Sequence, residues 1–249
     1  MKINFRNNLL STLLAWSLFA VGVQAFTLPD YCGQVILGLA DDWDSSRITL
    51  QRFEREADGG WRAVSEKIPA RIGQSGLAWG RGLHPPTPGG ANKKEGDWKA
   101  PAGVFTIGEA YGYAANIEKR GNLPYNQIKP GDLWVEDPSS PHYNQLVVLD
   151  RPANSKWERQ QQMHLNDAAH SLKLFIAHNA IPDIEPGAGS AIFFHIWRAN
   201  GEVPSAGCTA MSGAELKKLI AWVNPDLEPL YVLLPLTVYE QVKKEWQLP

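Results

Sequence analysis

Sulfur is scarce in this chain, which has two cysteines, Cys32 and Cys208, and three methionines among 249 residues. Two thiols are too few for a disulfide-stapled scaffold. The six histidines show no HExxH or comparable spacing, so no zinc site is spelled out. A phosphate-cradling loop is missing too, because Gly89 and Gly90 come with prolines and lack the Gly-Lys-Ser/Thr ending. No cofactor and no metal is expected. Nor is there an excess of basic charge: 24 Lys and Arg stand against 26 Asp and Glu, for a net charge of −2. That balance argues against nucleic acid, whose phosphates need a basic face. Repeats, charge blocks and low-complexity tracts are absent.

Long apolar runs are also few. Residues 9–23 form one, preceded by Lys2 and Arg6 and followed by Val23-Gln24-Ala25. A short positive start, an apolar stretch and small residues at its end are the parts of an export signal. The run is shorter than the ~20 residues that span a bilayer, so a removed signal, residues 1–25, is expected, with an uncleaved anchor as the alternative. Residues 26–249 are then expected to form one domain, periplasmic or otherwise exported, without a stable membrane anchor. Removal of Lys2 and Arg6 takes the net charge from −2 to −4. Ten tryptophans are many for this length; most suit a core, and one or two could stack on sugar rings.

Export sharpens the question of the two cysteines. In an oxidising compartment a Cys32–Cys208 disulfide is what composition alone favours. The sequence around Cys208 argues otherwise.

Short runs rich in β-branched and aromatic residues predict strands at 34–39, 48–53, 61–64, 68–72, 104–107, 133–135, 145–149, 174–178 and 191–197. Their close spacing predicts a mainly β sandwich or barrel-like domain. Residues 80–103, rich in Gly, Pro and Lys, read as a long loop over the surface. Helices are expected at 157–163 and 213–223. For the second, Ser212 is the N-cap, Glu215 completes a capping box, and Leu216, Leu219, Ile220 and Val223 share a face before Asn224-Pro225 stops it.

The stretch from Phe193 to Met211, FFHIWRANGEVPSAGCTAM, carries the chemistry. Asn200-Gly201 is a strong hairpin turn, since both residues tolerate positive φ. Counting outward from it sets His195 opposite position 206 and Cys208 on the same face, diagonal to His195 and within reach of it. A thiol with a pKa of about 8.5 is mostly protonated at neutral pH, and only its thiolate attacks carbonyls well. A neighbouring imidazole can take that proton and later return it to a leaving amine. Gly207 permits a tight turn that frees backbone N–H groups for an oxyanion, and Ser205 adds a hydroxyl beside them. The alternative is a satisfied core histidine and a buried thiol.

With His195 followed by Ser205-Ala206-Gly207-Cys208, the segment resembles the L,D-transpeptidase (YkuD-like) family, whose pattern is a His, a gap and Ser/Thr-x-Gly-Cys. Lys94-Glu95-Gly96-Asp97 with Pro101-Ala102-Gly103-Val104-Phe105 resembles an earlier block of that family. His178-Asn179 followed by Gly187-Ala188-Gly189-Ser190 resembles the branch ending in Gly-Cys-Thr-Ala-Met. Together the blocks cover about residues 77–235. The chain departs from the family at Ala206, where a second His is frequent, and at Ala210, where Arg or Asn is frequent.

The resemblance implies a peptidoglycan L,D-transpeptidase. Cys208 would attack the third-residue carbonyl of a stem tetrapeptide, expel D-alanine and pass the acyl group to an amine. His195 would be base and then acid, its other ring nitrogen held by the Ile196 carbonyl. One of His178 and Asn179 would contact substrate. Two rivals stand beside this: an L,D-carboxypeptidase that uses water as acceptor, and a non-catalytic wall-binding protein with a Cys32–Cys208 bridge.

Overall fold

Alternation decides the outer strands and continuous apolarity the inner ones. In RITLQRFER, Ile48 and Leu50 are buried while Arg47 and Thr49 face out, as in a strand with one wet face. QVILGLA and LYVLLP are apolar nearly throughout and buried nearly throughout, as strands covered on both faces must be. The computed structural model describes residues 26–85 and 90–249. The expected export signal and residues 86–89 of the 80–103 loop lie outside the described residues.

Thirteen strands appear in order among the described residues. They are β1 (Gln34–Ala40), β2 (Arg47–Arg55), β3 (Trp61–Ala63), β4 (Ile68–Arg71), β5 (Leu77–Trp79), β6 (Ala100–Gly112) and β7 (Tyr125–Gln127). Then follow β8 (Asp132–Trp134), β9 (Leu146–Val148), β10 (Leu172–Ile176), β11 (Phe193–Ile196), β12 (Thr209–Met211) and β13 (Leu230–Pro235). Helices are α1 (Lys156–Gln161), α2 (Gly213–Trp222) and α3 (Leu236–Val242). The main sheet runs β1-β13-β6-β10-β11-β12-β4-β2, and β1 also pairs with β2, so it closes into a barrel. Closure removes unpaired edges. Strand β3 extends β2, β5 and β7 pair with β6, and β8 and β9 form a separate hairpin.

The mainly β class and its barrel-like closure agree with the sequence. Several details do not. β13 runs parallel to β1 and antiparallel to β6 in the middle of the sheet, yet was not expected. β5, β7, β12 and α3 are also additional, and β6 is far longer than 104–107. Ser212 Oγ does accept from the Glu215 N–H at 3.2 Å, but Glu215 turns its carboxylate to Lys218 at 2.7 Å, so α2 has half a capping box. The reciprocal box caps α1, between Ser155 and Glu158. Leu216, Leu219 and Ile220 bury the inner face of α2, each contributing roughly 1.5–3 kcal/mol.

Two apolar clusters follow. The larger fills the barrel around Phe105, Phe194, Leu174 and Tyr231 and includes Cys32. The smaller is aromatic, built from Tyr111, Trp134 and Phe193 with Met163 and Ile128, and Cys208 packs against it.

Candidate active site

The segment expected to be a hairpin is not one. β11 and β12 are parallel, with Phe194 beside Thr209, His195 beside Ala210 and Ile196 beside Met211. Parallel neighbours joined by so short a connection require the chain to reverse twice. The first reversal is at Ala199–Gly201, where Asn200 (φ 52) and Gly201 (φ 87) take the left-handed backbone expected of them. It supports a single antiparallel bridge, Arg198 to Val203. Pro204 has no N–H to extend that ladder. Ser205 instead joins Gly73, donating its N–H to the Ile72 carbonyl at 2.9 Å.

The second reversal is built by Ser205. Its Oγ accepts from the Gly207 N–H at 3.0 Å and donates to the Cys208 carbonyl at 2.6 Å. These bonds correct the sequence reading, because the Gly207 amide and the Ser205 hydroxyl, expected to face substrate, are spent on each other. Gly207 sits at φ 154, and a Cβ there would stand 2.9 Å from the Lys99 carbonyl oxygen. Only glycine fits.

Two reversals return the chain to its first direction. Paired residues share a face and alternate residues return to it, so His195, Ala210 and Cys208 lie on one side of the sheet. Cys208 and His195 both line a cleft of about 540 Å³. His195 Nδ1 lies 2.8 Å from the Ile196 carbonyl. A carbonyl only accepts, so Nδ1 carries the hydrogen and Nε2 keeps a lone pair. The Cys208 thiol donates to the Ala191 carbonyl at 3.2 Å, and its sulfur accepts the Phe193 N–H at 3.4 Å.

Burial governs the ionisation of both. Although Cys208 keeps some exposure, burial pushes its thiol up to about 11, against the opposing pull of the Phe193 N–H and Lys173. Burial likewise takes His195 down to about 4, opposed by its bond to Ile196. The resting pair is therefore neutral thiol and neutral imidazole.

Two residues that sequence reasoning missed complete the cleft. The His170 ring stacks on His195 and is held by Asp167, 2.7 Å from its Nδ1. Asp167 is in turn bonded to Arg198 at 2.9 Å. Lys173 pairs with His195 directly across β10 and β11 and also lines the cleft. Burial lowers its ammonium to about 8. Trp98, about half exposed, and Trp134 supply aromatic wall.

His178 and Asn179 stand elsewhere, contrary to the expectation that one would face substrate beside Cys208. Both are almost fully buried. His178 Nδ1 accepts the Arg81 N–H at 3.1 Å, and Nε2 meets the Ala188 carbonyl at 2.9 Å. Asn179 binds the backbone of Glu185 and Gly189. Their side chains hold the 183–190 segment.

Asn144 links that segment to the nucleophile. Its Oδ1 accepts from Trp134 Nε1 and from the Ala191 N–H, each at 2.9 Å. Its Nδ2 donates to the carbonyls of His178 and Asn179, at 3.1 and 2.7 Å. Two sequence blocks also meet here, as Glu95 accepts from Tyr143 and from Ser190 Oγ.

A larger cavity, about 750 Å³, holds neither Cys208 nor His195. Arg81 and Glu185 in its wall are already paired at 2.6 Å. Both cysteines are free, Cys32 inside the main core and Cys208 at the cleft. Among the described residues no group of three or more His, Cys, Asp and Glu is arranged to hold a metal, and no helix is long and apolar enough to cross a membrane.

Among curated proteins and among solved structures, nothing matches this chain. A family model does: that of the L,D-transpeptidase catalytic domain, YkuD, matches residues 58–232. The match covers well over half of the sequence, and the chain belongs to that family.

Proposed function

We propose that the chain is an exported peptidoglycan L,D-transpeptidase of the branch with the Gly-Cys-Thr-Ala-Met motif, with Cys208 as nucleophile and His195 as base. The observation that carries this reading is the fixed tautomer of His195: with Nδ1–H given to Ile196, Nε2 is ready to accept a proton in the cleft that holds the thiol. Donor substrates are stem tetrapeptides, and the site of action is the wall outside the cytoplasm.

A neutral resting pair makes this general-base chemistry rather than attack by a preformed thiolate. The thiol proton turns from Ala191 and passes to His195 Nε2 as sulfur bonds the third-residue carbonyl carbon. The carbonyl π pair moves onto oxygen, and the Cys208 N–H is the backbone donor left to hold that oxygen, since Ser205 occupies that of Gly207. Collapse breaks the C–N bond, and the leaving D-alanine amine takes the proton from Nε2. An acceptor amine then gives a proton to His195 and attacks the thioester. Cys208 leaves as thiolate and recovers that proton, restoring the starting state.

The test is intact-mass spectrometry after incubating reduced protein with a stem tetrapeptide and, separately, a carbapenem. A covalent adduct in wild type that is lost in Cys208→Ala is the expected result. No adduct, with the fold intact and the thiol reduced, would leave a binding protein. Muropeptide analysis then separates acceptors: cross-linked dimers follow from an amine, shortened tripeptides alone from water, which is the carboxypeptidase outcome. A permanent Cys32–Cys208 bridge finds no support, since the two thiols are free and lie against different clusters.

A further inference from the structure

Three cations line the cleft of Cys208: Lys93, Arg198 and Lys173. Two are already matched, Lys93 by Asp97 at 2.6 Å and Arg198 by Asp167 at 2.9 Å. Lys173 has no carboxylate within ion-pair distance among the described residues. It donates to the Met163 carbonyl at 3.3 Å and lies 5.6 Å from the centre of the Phe193 ring. Only 6% of the residue is exposed. A buried ammonium with no carboxylate in contact opposes folding, and a charge that arrives later would offset that cost. Glu136 and Asp167 act on it from farther away.

Placement narrows what that charge is. Lys173 pairs with His195 across β10 and β11, so ammonium, imidazole and thiol share one face. We infer that Lys173 is the donor-specificity residue, whose ammonium receives the free C-terminal carboxylate of the stem peptide. This rests on the acyl-transfer reading above. In a peptide cut at its last bond, only the amide nitrogen and one α-carbon separate the scissile carbonyl from the terminal carboxylate. A cation that meets that carboxylate must therefore stand in the same small cleft as the sulfur. The leaving amino acid carries the carboxylate away, and Lys173 is open again for the next donor.

The test compares acylation rates of Cys208, read by intact mass, for a stem tetrapeptide with a free C-terminus and for its C-terminal amide. Wild type should acylate with the free acid about 10- to 100-fold faster, the factor expected for a hydrogen bond to a charged group. Lys173→Met should erase the preference by slowing the acid alone, and Lys173→Arg should keep much of it. Lys173→Gln serves the same purpose should the methionine variant fail to fold. Equal wild-type rates, or a variant that slows acid and amide alike, would overturn the inference while leaving acyl transfer intact. Absence of any adduct with either peptide would instead sink the acyl-transfer reading, and this inference with it.

Discussion

The imidazole rings of His170 and His195 lie 5.4 Å apart, centroid to centroid, with planes 19° from parallel. Asp167 fixes His170, and Arg198 fixes Asp167, so the base of the cleft is backed by a three-residue brace. His170→Ala should slow acylation by about tenfold with little change in KM, the mark of lost orientation rather than lost binding. It should also shift the acid limb of the pH–rate profile upward, because His170 helps hold His195 below its ordinary range. His170→Phe, which keeps a ring in place, should restore most of the rate.

Thiol reactivity is the second prediction. With Cys208 pushed up to about 11, roughly one molecule in ten thousand carries a thiolate at pH 7. Alkylation by iodoacetamide should be slow there and rise about tenfold per pH unit towards pH 10. A rate already flat at pH 7 would mean a thiolate–imidazolium pair and a different first step.

The third concerns acid. Burial depresses His84 to about 4, His178 to about 3 and His195 to about 4, so the unfolded chain binds more protons between these values and about 6.5. The stability these three histidines contribute is then full above pH 6.5 and falls as the pH drops towards 4. Each histidine adds roughly 1.4 kcal/mol per pH unit to the slope. Glu136, pushed up to about 7 and partly facing solvent, offsets less than one of them. Urea titrations between pH 5 and 6.5 should show the slope, and His84→Phe should reduce it by about one proton's worth.

Cys32 supplies the fourth. It is buried in the main core, where its thiol meets the Gln34 carbonyl at 3.3 Å. Cys32→Ala should cost about 1 kcal/mol, close to the net value of one hydrogen bond, and leave acylation of Cys208 unchanged. Activity that depends on Cys32, or differs between oxidised and reduced protein, would revive pairing of the two thiols.

Gly207→Ala is the fifth. The added methyl would strike the Lys99 carbonyl oxygen, displacing the turn that carries Cys208. A fall of about a hundredfold in acylation is expected, with a lower melting temperature.

The outer strands were legible because alternation survives in sequence: Ile48 and Leu50 declare an inward face. β13 was not, since Leu230–Pro235 is apolar throughout and such a run has no period to read. Asn200-Gly201 correctly announced a reversal. What followed was misread because Ser205 builds a second one, and its pattern of bonds to Gly207 and Cys208 has no signal stronger than the residue types themselves. Lys173 lies one residue before the strand start expected at 174, so the expected strand leaves out its pairing with His195. His170 owes its place to β10 and β11 lying side by side, and nothing local to it says so.

Asn144 holds the Ala191 strand approach with an amide that uses both lone pairs and both hydrogens at once. Such a group has no halfway arrangement: turning it over by 180° sets donor against donor at Trp134 and Ala191, and acceptor against acceptor at the His178 and Asn179 carbonyls. The carbonyl that Ala191 presents to the sulfur thus depends on a switch with two settings, one of which the surroundings forbid. A change of a single atom, amide nitrogen to carboxylate oxygen by hydrolysis, would replace two donors with acceptors facing two carbonyls. Loss of the site through ageing of the protein should therefore be abrupt in each molecule rather than gradual.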